Sequence, residues 1–391
     1  MALILMAAYT NYRRDPRVKR EAEALVEAGY RVVFMARRQP GEPNRETIAG
    51  VEVFKAIGFK NKCTSVGEYM VDYATFFFIL LAHLLVHPLR YRLIHINNMP
   101  DFLVFATLLP RLLGRPVIHD VHDLMPELYA EKFDTRNKHW MIGALEMQER
   151  WAGKFASAVL TVEERLKDIL SERGIPRDKI HVLLNLPDER IFALREPMSK
   201  PARDAPFVMV YHGTLAHRLG LDIAIEAAVK ASASIPRMEL RIIGAGEERD
   251  RLIELRDRLG LQQVVTFSEG FVPVEVIPSM ISDADVGLIP LRICSGTDIM
   301  LPSKLLEYVS VGIPCIVPRT GTITRYFNEE MVQFFEAENS DSLAAAMIEL
   351  YRDPGKRRML SRQATERFGR TYRWSEHKKT YTTLVNRLLG G

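Results

Sequence analysis

Short apolar segments alternate with segments of helical periodicity along almost the whole of this 391-residue chain. Alternation of this kind predicts a mostly parallel sheet that is covered by helices on both faces. The apolar segments of the first half are LILMAAY (3–9), YRVVFMA (30–36), RLIHIN (92–97), PVIHDVH (116–122), SAVLTV (157–162) and IHVLLN (180–185). The predicted helices between and after them cover about 15–28, 66–86, 101–113, 139–156 and 164–173.

The alternation restarts after ALREPMSKPARDAP (193–206), which has three prolines and no periodicity and is typical of a linker. The second set of strands is FVMVYHG (207–213), MELRIIGAG (238–246), VVTFSEG (264–270), ADVGLIPL (284–291) and PCIVP (314–318). One hydrophobic core rarely supports a chain of this length. We therefore predict two α/β domains, residues 1–192 and 206–373, followed by a helix over about 374–391.

The charge and the cysteine content of the chain limit which partners and which cellular compartment are expected. The 53 basic and 49 acidic residues leave a net charge of +4, and the bases form no stripe with aromatic residues. This argues against a nucleic-acid partner. Cys63, Cys294 and Cys315 lie far apart and outside any CxxC pair, which argues against structural zinc and fits a reducing cytosol. No basic segment precedes the first apolar strand, so we expect no secretory signal and a cytoplasmic protein.

The segment YATFFFILLAHLLV (73–86) is the most lipid-like part of the chain. Its fourteen residues are fewer than the roughly 20 that a membrane-spanning helix needs. Two interpretations remain open: a buried core helix, or a helix that lies at the membrane interface with the bases of HPLRYR at its end. A cluster of bases over residues 13–20 is either a solvated helix face or a basic patch for a phosphorylated acceptor or anionic lipid headgroups.

Ligands of parallel sheets bind beyond the carboxyl ends of the strands, so the loops there are the candidate sites. In YHGTLAHRLGLD (211–222), Gly213 lets the backbone approach a ligand and Arg218 can bind phosphate. Gly244 and Gly246 of IGAGEE shape another such loop, without the third glycine of a dinucleotide fingerprint. In HDVHDLMPE (119–127), His122 is compatible with metal ligation, general-base chemistry or hydrogen bonding to sugar hydroxyls.

The segment ICSGTDIMLPSKLLEYVSVGIPCIVP (293–318) predicts a loop, a helix and a buried strand. Lys304 and Glu307 lie three residues apart and share one face of the helix. A cation in the first turn opposes the helix dipole, which an anion bound at the same place would offset. The alternative is an ordinary ion pair between the two side chains.

The order and spacing of these motifs resemble the retaining glycosyltransferases of family 4. The motifs are DPRVKREAEALVEAGYRVVF (15–34), PVIHDVHDLMPELY (116–129), YHGTLAHRLGLDIAIEA (211–227), LRIIGAGEE (240–248), FSEGFVPVEVIPSMISDADVGLIPL (267–291), LPSKLLEYVSVGIPCIV (301–317) and YRWSEH (372–377). The resemblance implies a GT-B fold: two Rossmann-like, doubly wound domains facing a cleft, with the C-terminal helix crossing back to the first domain. It also implies a nucleotide-sugar donor on the second domain, an acceptor on the first, and no essential metal or other cofactor.

The resemblance also assigns residues. Glu307 matches the second glutamate of the family's pair, which holds the ribose, whereas the first would fall on Ile299 and is missing. His122 matches the loop histidine of the first domain, and Arg218 the residue that grips the donor diphosphate. We therefore expect His122, Arg218, Lys304 and Glu307 in catalytic roles. The implied donor-binding residues are Gly213, Thr214, Gly244, Gly246, Asp298, Met300, Leu301 and Ser303.

The expected function is thus retaining transfer of a sugar to a glycan or lipid-linked acceptor, in polysaccharide or glycoconjugate biosynthesis. Peripheral contact with the inner face of the membrane would suit a lipid-linked acceptor. Two alternatives stay open. One is a non-catalytic binding protein of the same fold, suggested by the missing first glutamate. The other is a sugar-nucleotide epimerase, which would act on the donor without an acceptor.

Overall fold

The computed structural model describes residues 1–58, 66–132, 139–194 and 205–390, and these form two compact units. The first unit comprises Met1–Asn185 together with Glu376–Gly391, and the second comprises Leu186–Ser375. Most of the predicted linker (193–206), as well as Cys63, lies outside the described residues. Each unit contains its own sheet, as the two sets of apolar segments predict.

The first unit is built on an eight-stranded sheet with the order β3-β4-β2-β1-β5-β6-β7-β8. Only the β3–β4 pair is antiparallel. The strands are β1 (Leu3–Ala7), β2 (Arg31–Arg38), β3 (Arg45–Ile48), β4 (Val51–Gly58), β5 (Leu93–Asn97), β6 (Val117–Val121), β7 (Ala158–Thr161) and β8 (Ile180–Val182). The helices are α1 (Pro16–Glu27), α2 (Val66–Val86), α3 (Leu108–Leu112), α4 (Met125–Lys132), α5 (His139–Phe155) and α6 (Glu164–Glu172).

The second unit is built on a six-stranded parallel sheet with the order β11-β10-β9-β12-β13-β14. Its strands are β9 (Phe207–His212), β10 (Met238–Ile243), β11 (Val265–Phe267), β12 (Val286–Leu288), β13 (Cys315–Pro318) and β14 (Gln333–Phe335). Its helices are α7 (Leu221–Ser232), α8 (Arg249–Arg258), α9 (Ile277–Met280), α10 (Ser295–Asp298), α11 (Ser303–Val311), α12 (Ile323–Tyr326), α13 (Ser340–Arg352) and α14 (Pro354–Thr371). The chain order 9-10-11 on one side and 12-13-14 on the other is that of a doubly wound sheet.

The last helix, α15 (Trp374–Leu388), starts in the second unit, and its residues from Glu376 onwards belong to the first. Tyr381 on this helix is 1% exposed, and its hydroxyl hydrogen-bonds to Nδ1 of His95 at 2.7 Å. The C-terminal helix is therefore an integral part of the first unit, as the resemblance implies.

The structure contains elements that the periodicity did not reveal. The β3–β4 hairpin turns at Ala49 and Gly50, both with positive φ, and alanine gives no sequence signal for such a turn. The helix predicted over 101–113 is a 3-10 segment, Asp101–Thr107, followed by the short α3. The edge strand β14 has only three residues and was also missed.

Helix α2 corrects the prediction for the lipid-like segment. The helix is longer than the apolar run, and Gly67–Val86 is long and apolar enough to cross a membrane by length and composition alone. Only 17% of its apolar window is buried, so the core-helix interpretation applies to one face of the helix. The buried residues Phe76, Leu80 and Leu84 form a single stripe four residues apart, which belongs to the core of the first unit. One such helix is weak evidence for a membrane span.

Candidate active site

Strand β9 and helix α11 bring the central candidate residues of the second unit together. Glu307 lies on α11, and one of its oxygens, Oε2, is 2.5 Å from Nε2 of His212, the last residue of β9. The His212 ring packs edge-on against Tyr308 at 4.8 Å between ring centroids, and its backbone amide donates to the Tyr308 hydroxyl at 3.1 Å. Glu307 is therefore held by a histidine, and the predicted alternative, an ion pair with Lys304, is absent from the described residues.

Lys304 lies one turn before Glu307, and its ammonium group has no ion-pair partner among the described residues. Within the described part of the chain, no hydrogen bond or ion pair involves its ammonium group, whose nearest ring is Tyr211 with the centroid 5.1 Å from Nζ. Burial lowers the pKa of Lys304 to about 8, an effect that the Glu307 carboxylate opposes and the positive charge of Arg218 reinforces. A half-buried cation that makes no ion pair among the described residues is a ready partner for an anionic ligand.

The N-terminus of α11 adds amide donors beside this cation. The helix begins at Ser303 and its N-cap is Pro302, which has no side-chain acceptor for the first amides. Pro302 therefore lies just outside the helix, one residue before its first turn. Uncapped amides and a lysine in the same turn form an anion-binding arrangement. Met300, Leu301 and Ser303, which lead into this turn, are all half-buried.

Arg218 lies in a 3-10 turn, His217–Leu219, directly after the loop that follows β9. Its carbonyl oxygen accepts a hydrogen bond from the Arg292 amide at 3.0 Å, which fixes the turn. The Arg218 charge acts on both Lys304 and Tyr211, lowering the pKa of Lys304 and opposing the rise in the pKa of Tyr211. Arg218 and Lys304 thus form one positively charged region.

The three loop glycines allow the loops after β9 and β10 to pack backbone to backbone. A Cβ atom on Gly244 would lie 1.9 Å from the Gly213 carbonyl oxygen, and one on Gly246 would lie 2.1 Å from the Leu215 carbonyl oxygen. A Cβ on Gly213 would lie 3.2 Å from Cε of Lys304. Thr214 is exposed, and its carbonyl oxygen accepts from the Tyr211 hydroxyl at 2.6 Å. The glycines therefore shape the wall beside Lys304.

Asp298 has a structural contact that the sequence did not suggest. Its Oδ1 accepts from the Gly321 amide at 2.7 Å, and its carbonyl oxygen accepts from the Thr322 amide at 3.1 Å. Asp298 therefore holds the turn that follows β13. Its neighbour Ile299, where the family's first glutamate would fall, is only 9% exposed.

His122 belongs to the first unit and follows β6. A guanidinium nitrogen of Arg17, Nη2, lies 2.9 Å from Nε2 of His122. Because a guanidinium can only donate, Nε2 is the acceptor and the ring carries its proton at Nδ1. Burial, with the charge of Arg17 as the next contribution, holds the pKa of His122 well below its ordinary value. His122 is therefore a neutral ring at pH 7, suited to hydrogen bonding and not to donating a proton as an imidazolium.

Sequence reasoning missed His212 and Arg17. His212 is the last residue of β9, a position whose side chain can reach the carboxyl edge of the sheet, and that was the available signal. Arg17 is placed by the start of α1, where the Asp15 side chain caps the helix by accepting from the Arg17 and Val18 amides. A capped helix start at this position gives no indication in the sequence that the Arg17 guanidinium reaches His122.

Two family models cover most of the chain. Residues 15–185 match the glycosyl transferase 4-like domain, and residues 195–367 match the glycosyl transferases group 1. A relative, the putative colanic acid biosynthesis glycosyltransferase WcaL of Escherichia coli, is 31% identical over 173 residues, 44% of this chain and 38% of that protein. The chain thus spans well under half the length of that curated relative.

Solved structures share the fold at low identity. Sucrose-phosphate synthase from Thermosynechococcus elongatus superposes with a TM-score of 0.81 at 19% identity, covering 100% of both chains. Anabaena HepE, in complex with UDP-glucose, gives a TM-score of 0.71 at 16% identity, covering 99% of this chain and 100% of that one. With both family models matched and two parallel-sheet units in place, the chain belongs to the group 1, family 4 glycosyltransferases of the GT-B fold.

Proposed function

We propose that this protein is a retaining glycosyltransferase that transfers a sugar from a nucleotide-sugar donor to an acceptor hydroxyl without an essential metal. The observation that carries the proposal is Lys304: a half-buried cation that no carboxylate of the described residues contacts, beside Arg218 and the uncapped first turn of α11. This arrangement suits a diphosphate. Breaking the bond between sugar and phosphate builds negative charge on the leaving diphosphate, which fixed cations and amides stabilise in the transition state.

Glu307 supports a nucleoside at the same place. His212 occupies one carboxylate oxygen, so the other oxygen is available to accept from ribose hydroxyls. The side chains of His212 and Glu307 are 5% and 14% exposed. This low exposure protects their hydrogen bonds from competition by water. The Anabaena relative bound to UDP-glucose is consistent with a nucleotide-sugar donor here.

Retention follows if the acceptor hydroxyl attacks from the face that the diphosphate leaves. The bond between the anomeric carbon and the phosphate oxygen breaks, the acceptor oxygen bonds to that carbon, and the departing phosphate takes the hydroxyl proton. This route requires no carboxylate nucleophile, because the acceptor oxygen attacks the anomeric carbon directly. Glu307 instead binds His212 and the ribose. His122, a neutral ring on the first unit, is assigned to orienting the acceptor or the sugar.

A donor screen with product analysis tests the proposal. UDP-glucose, GDP-mannose, UDP and GDP are added separately, and the melting temperature of the full chain is recorded, because a ligand of the native state raises it by mass action. We expect one nucleotide series to stabilise the protein, in the presence of EDTA as well as in its absence. NMR of the product should show the anomeric configuration of the donor. Inversion, or a requirement for metal in donor binding itself, would contradict the mechanism.

The missing first glutamate gives a specific reason to consider a non-catalytic member of the family. The nearly buried Ile299 offers no polar group to the donor, and Asp298 is engaged by the 321–322 turn. A protein that binds a nucleotide sugar but neither hydrolyses nor transfers it would fit this second function. An epimerase would instead convert the donor with no acceptor present, so the donor-only reaction identifies it, and transfer or hydrolysis of the donor separates a transferase from a non-catalytic protein.

A membrane surface is the partner that we propose for the first unit. The exposed side of α2 carries Met70, Val71, Phe78, Leu85 and Val86, which are 51–71% exposed. The neighbouring α3 adds Leu108 and Leu112, 52% and 74% exposed, and Leu113 follows directly at 45%. We call these eight residues the α2–α3 apolar surface. Isolated exposed leucines are ordinary, whereas a patch spread over two neighbouring helices indicates an interaction surface.

Bases border the α2–α3 apolar surface. Arg90 and Arg92 follow α2 and are exposed, and an Arg115 guanidinium nitrogen lies 3.4 Å from the carbonyl oxygen of Leu89, itself 54% exposed. Apolar side chains edged by arginines match an anionic lipid bilayer, where each base near the surface contributes about 1 kcal/mol. A lipid-linked acceptor held in that bilayer would be presented to the first unit. The cluster at 13–20 is less suited, because Arg13, Arg17 and Arg20 already bond within the protein.

Vesicle sedimentation tests this surface. The full chain should sediment with phosphatidylglycerol vesicles at low salt and be released as salt screens the arginines. The double substitution Phe78→Ser and Leu112→Ser is expected to lower the bound fraction about tenfold, because it removes two large exposed apolar groups. Val229→Ser, at 39% exposure on α7 of the second unit, is the matched control and should bind as the parent does. Equal binding by all three proteins would reject the α2–α3 apolar surface as the contact.

A further inference from the structure

Three buried side chains of the first unit meet at one point that has no role in the proposed sugar transfer. Glu21 comes from α1, His95 from β5 and Asp120 from β6, and their exposed fractions are 4%, 0% and 2%. Nε2 of His95 lies 3.9 Å from Oε2 of Glu21 and 4.0 Å from Oδ2 of Asp120. The three potential ligand atoms lie within 4.8 Å of one another.

Each of these three atoms lacks a hydrogen-bond partner among the described residues. A buried carboxylate oxygen without a donor is costly, and two of them facing a third unpaired polar atom is more so. The neighbouring arginines do not supply the missing hydrogen bonds. Arg17 acts electrostatically on both carboxylates but donates to His122, and Arg20 acts on Glu21 but donates to Asn185. The cluster therefore has the character of a binding site for something small.

The distances favour a metal ion over a water molecule. In a triangle with sides of this length, the centre lies roughly 2.1–2.5 Å from each corner, which matches bonds from divalent cations to oxygen and nitrogen. Hydrogen bonds to a central water would need about 2.7–3.2 Å, so a water would have to sit out of the plane of the three atoms. One imidazole with two carboxylates is also a donor set that first-row divalent metals accept.

The other nitrogen of His95 is already held in the way that a metal-bound histidine usually is. Nδ1 hydrogen-bonds to the Tyr381 hydroxyl at 2.7 Å, and Tyr381 is itself fully buried on α15. With Nδ1 as the donor, Nε2 presents its lone pair to the centre of the cluster. A partner on the far nitrogen fixes the ring orientation and the tautomer that ligation requires.

We propose that Glu21, His95 and Asp120 bind a divalent cation of the Zn²⁺ or Mn²⁺ class. The cation ties α1, β5 and β6 together and, through Tyr381, secures the C-terminal helix to the first unit. Oδ2 of Asp120 also lies 4.0 Å from Nδ1 of His122, so the cation supports the loop that carries His122. Its role is structural, and the proposal does not rest on the proposed sugar transfer.

Metal content and metal-dependent stability test the site without measuring activity. The full chain is treated with EDTA, desalted and titrated with Zn²⁺, Mn²⁺ or Co²⁺. We expect one equivalent of tightly held metal by mass spectrometry, a rise of several degrees in the melting temperature, and Co²⁺ absorption bands that require His95. His95→Gln and Glu21→Gln should lose all three effects. His181→Gln, a half-buried histidine elsewhere in the first unit, is the control and should retain them.

A second comparison covers the case of variants that are simply unstable. After EDTA treatment, Glu21→Gln should melt no lower than the parent, because the substitution removes one uncompensated carboxylate from the metal-free cluster. Only the metal-loaded parent should then have a higher melting temperature than Glu21→Gln. An ordered water in place of a cation predicts no stoichiometric metal and no metal-dependent change in melting. That result, or identical Zn²⁺ responses in the parent and Glu21→Gln, would overturn the proposal.

Discussion

Replacing Lys304 by methionine is expected to lower kcat/KM for sugar transfer by about 10²–10³-fold. The substitution keeps most of the side-chain volume and removes the one cation at the α11 N-terminus that has no counter-ion among the described residues. The loss should fall more on kcat than on donor affinity, because the charge on the leaving diphosphate is greatest in the transition state. Steady-state kinetics with the donor identified by the thermal screen measure both constants.

The same residue sets the pH dependence. Burial lowers the pKa of Lys304 to about 8, so the free enzyme carries the charged ammonium below that pH and loses it above. Because kcat/KM reports the ionisation of the free enzyme, it should be level below pH 7 and fall as the pH rises through about 8. Lys304→Arg keeps a charge throughout this range, so its lower activity should not show the alkaline decline.

Lys230→Met is the matched control for Lys304→Met. Lys230 lies in the same unit, where its ammonium pairs with Asp341 on the surface, and the substitution should leave kcat/KM within twofold of the parent. If Lys304→Met retained full activity while still binding donor, the half-buried Lys304 side chain would only pack against the loop after β9. An unchanged alkaline decline in Lys304→Arg would assign the pH dependence to another group.

The architecture could be predicted because strand–helix alternation is local. Parallel strands buried on both faces are continuous apolar runs, so β1, β5 and β9 are visible without any tertiary information. The short pieces were less visible. The β3–β4 hairpin has polar residues on its exposed side, and three-residue strands such as β14 are set by their neighbours in the sheet and not by their own sequence.

The candidate site was predictable only where its residues share one element. Lys304 and Glu307 are three apart on α11, and a helix places them together whatever the rest of the fold. The contacts from Glu307 to His212 and from His122 to Arg17 join residues about a hundred positions apart, which no local pattern reveals. The environment of α2 could not be predicted for a different reason. An apolar sequence identifies a helix face that avoids water, but either lipid or protein can cover that face.

Gly244→Ala is expected to destabilise the second unit by roughly 3–5 kcal/mol and to weaken donor binding at the same time. The added Cβ would lie 1.9 Å from the Gly213 carbonyl oxygen, and φ at this position is +141°, which side chains rarely adopt. The backbone of one loop must then move away from the other. Because Gly213 borders Lys304, that movement should disturb the proposed diphosphate site as well as the fold.

Gly260→Ala separates these two consequences. Gly260 also has positive φ, +70°, but nothing lies within 4 Å of its Cβ position, so the substitution should cost only about 1–2 kcal/mol of backbone strain. We expect a small drop in the melting temperature and unchanged donor affinity, against a large drop and at least tenfold weaker affinity for Gly244→Ala. Thermal unfolding and donor titration of the full chain measure both quantities. If the two variants behaved alike, the contact between the β9 and β10 loops would have no part in shaping the donor site.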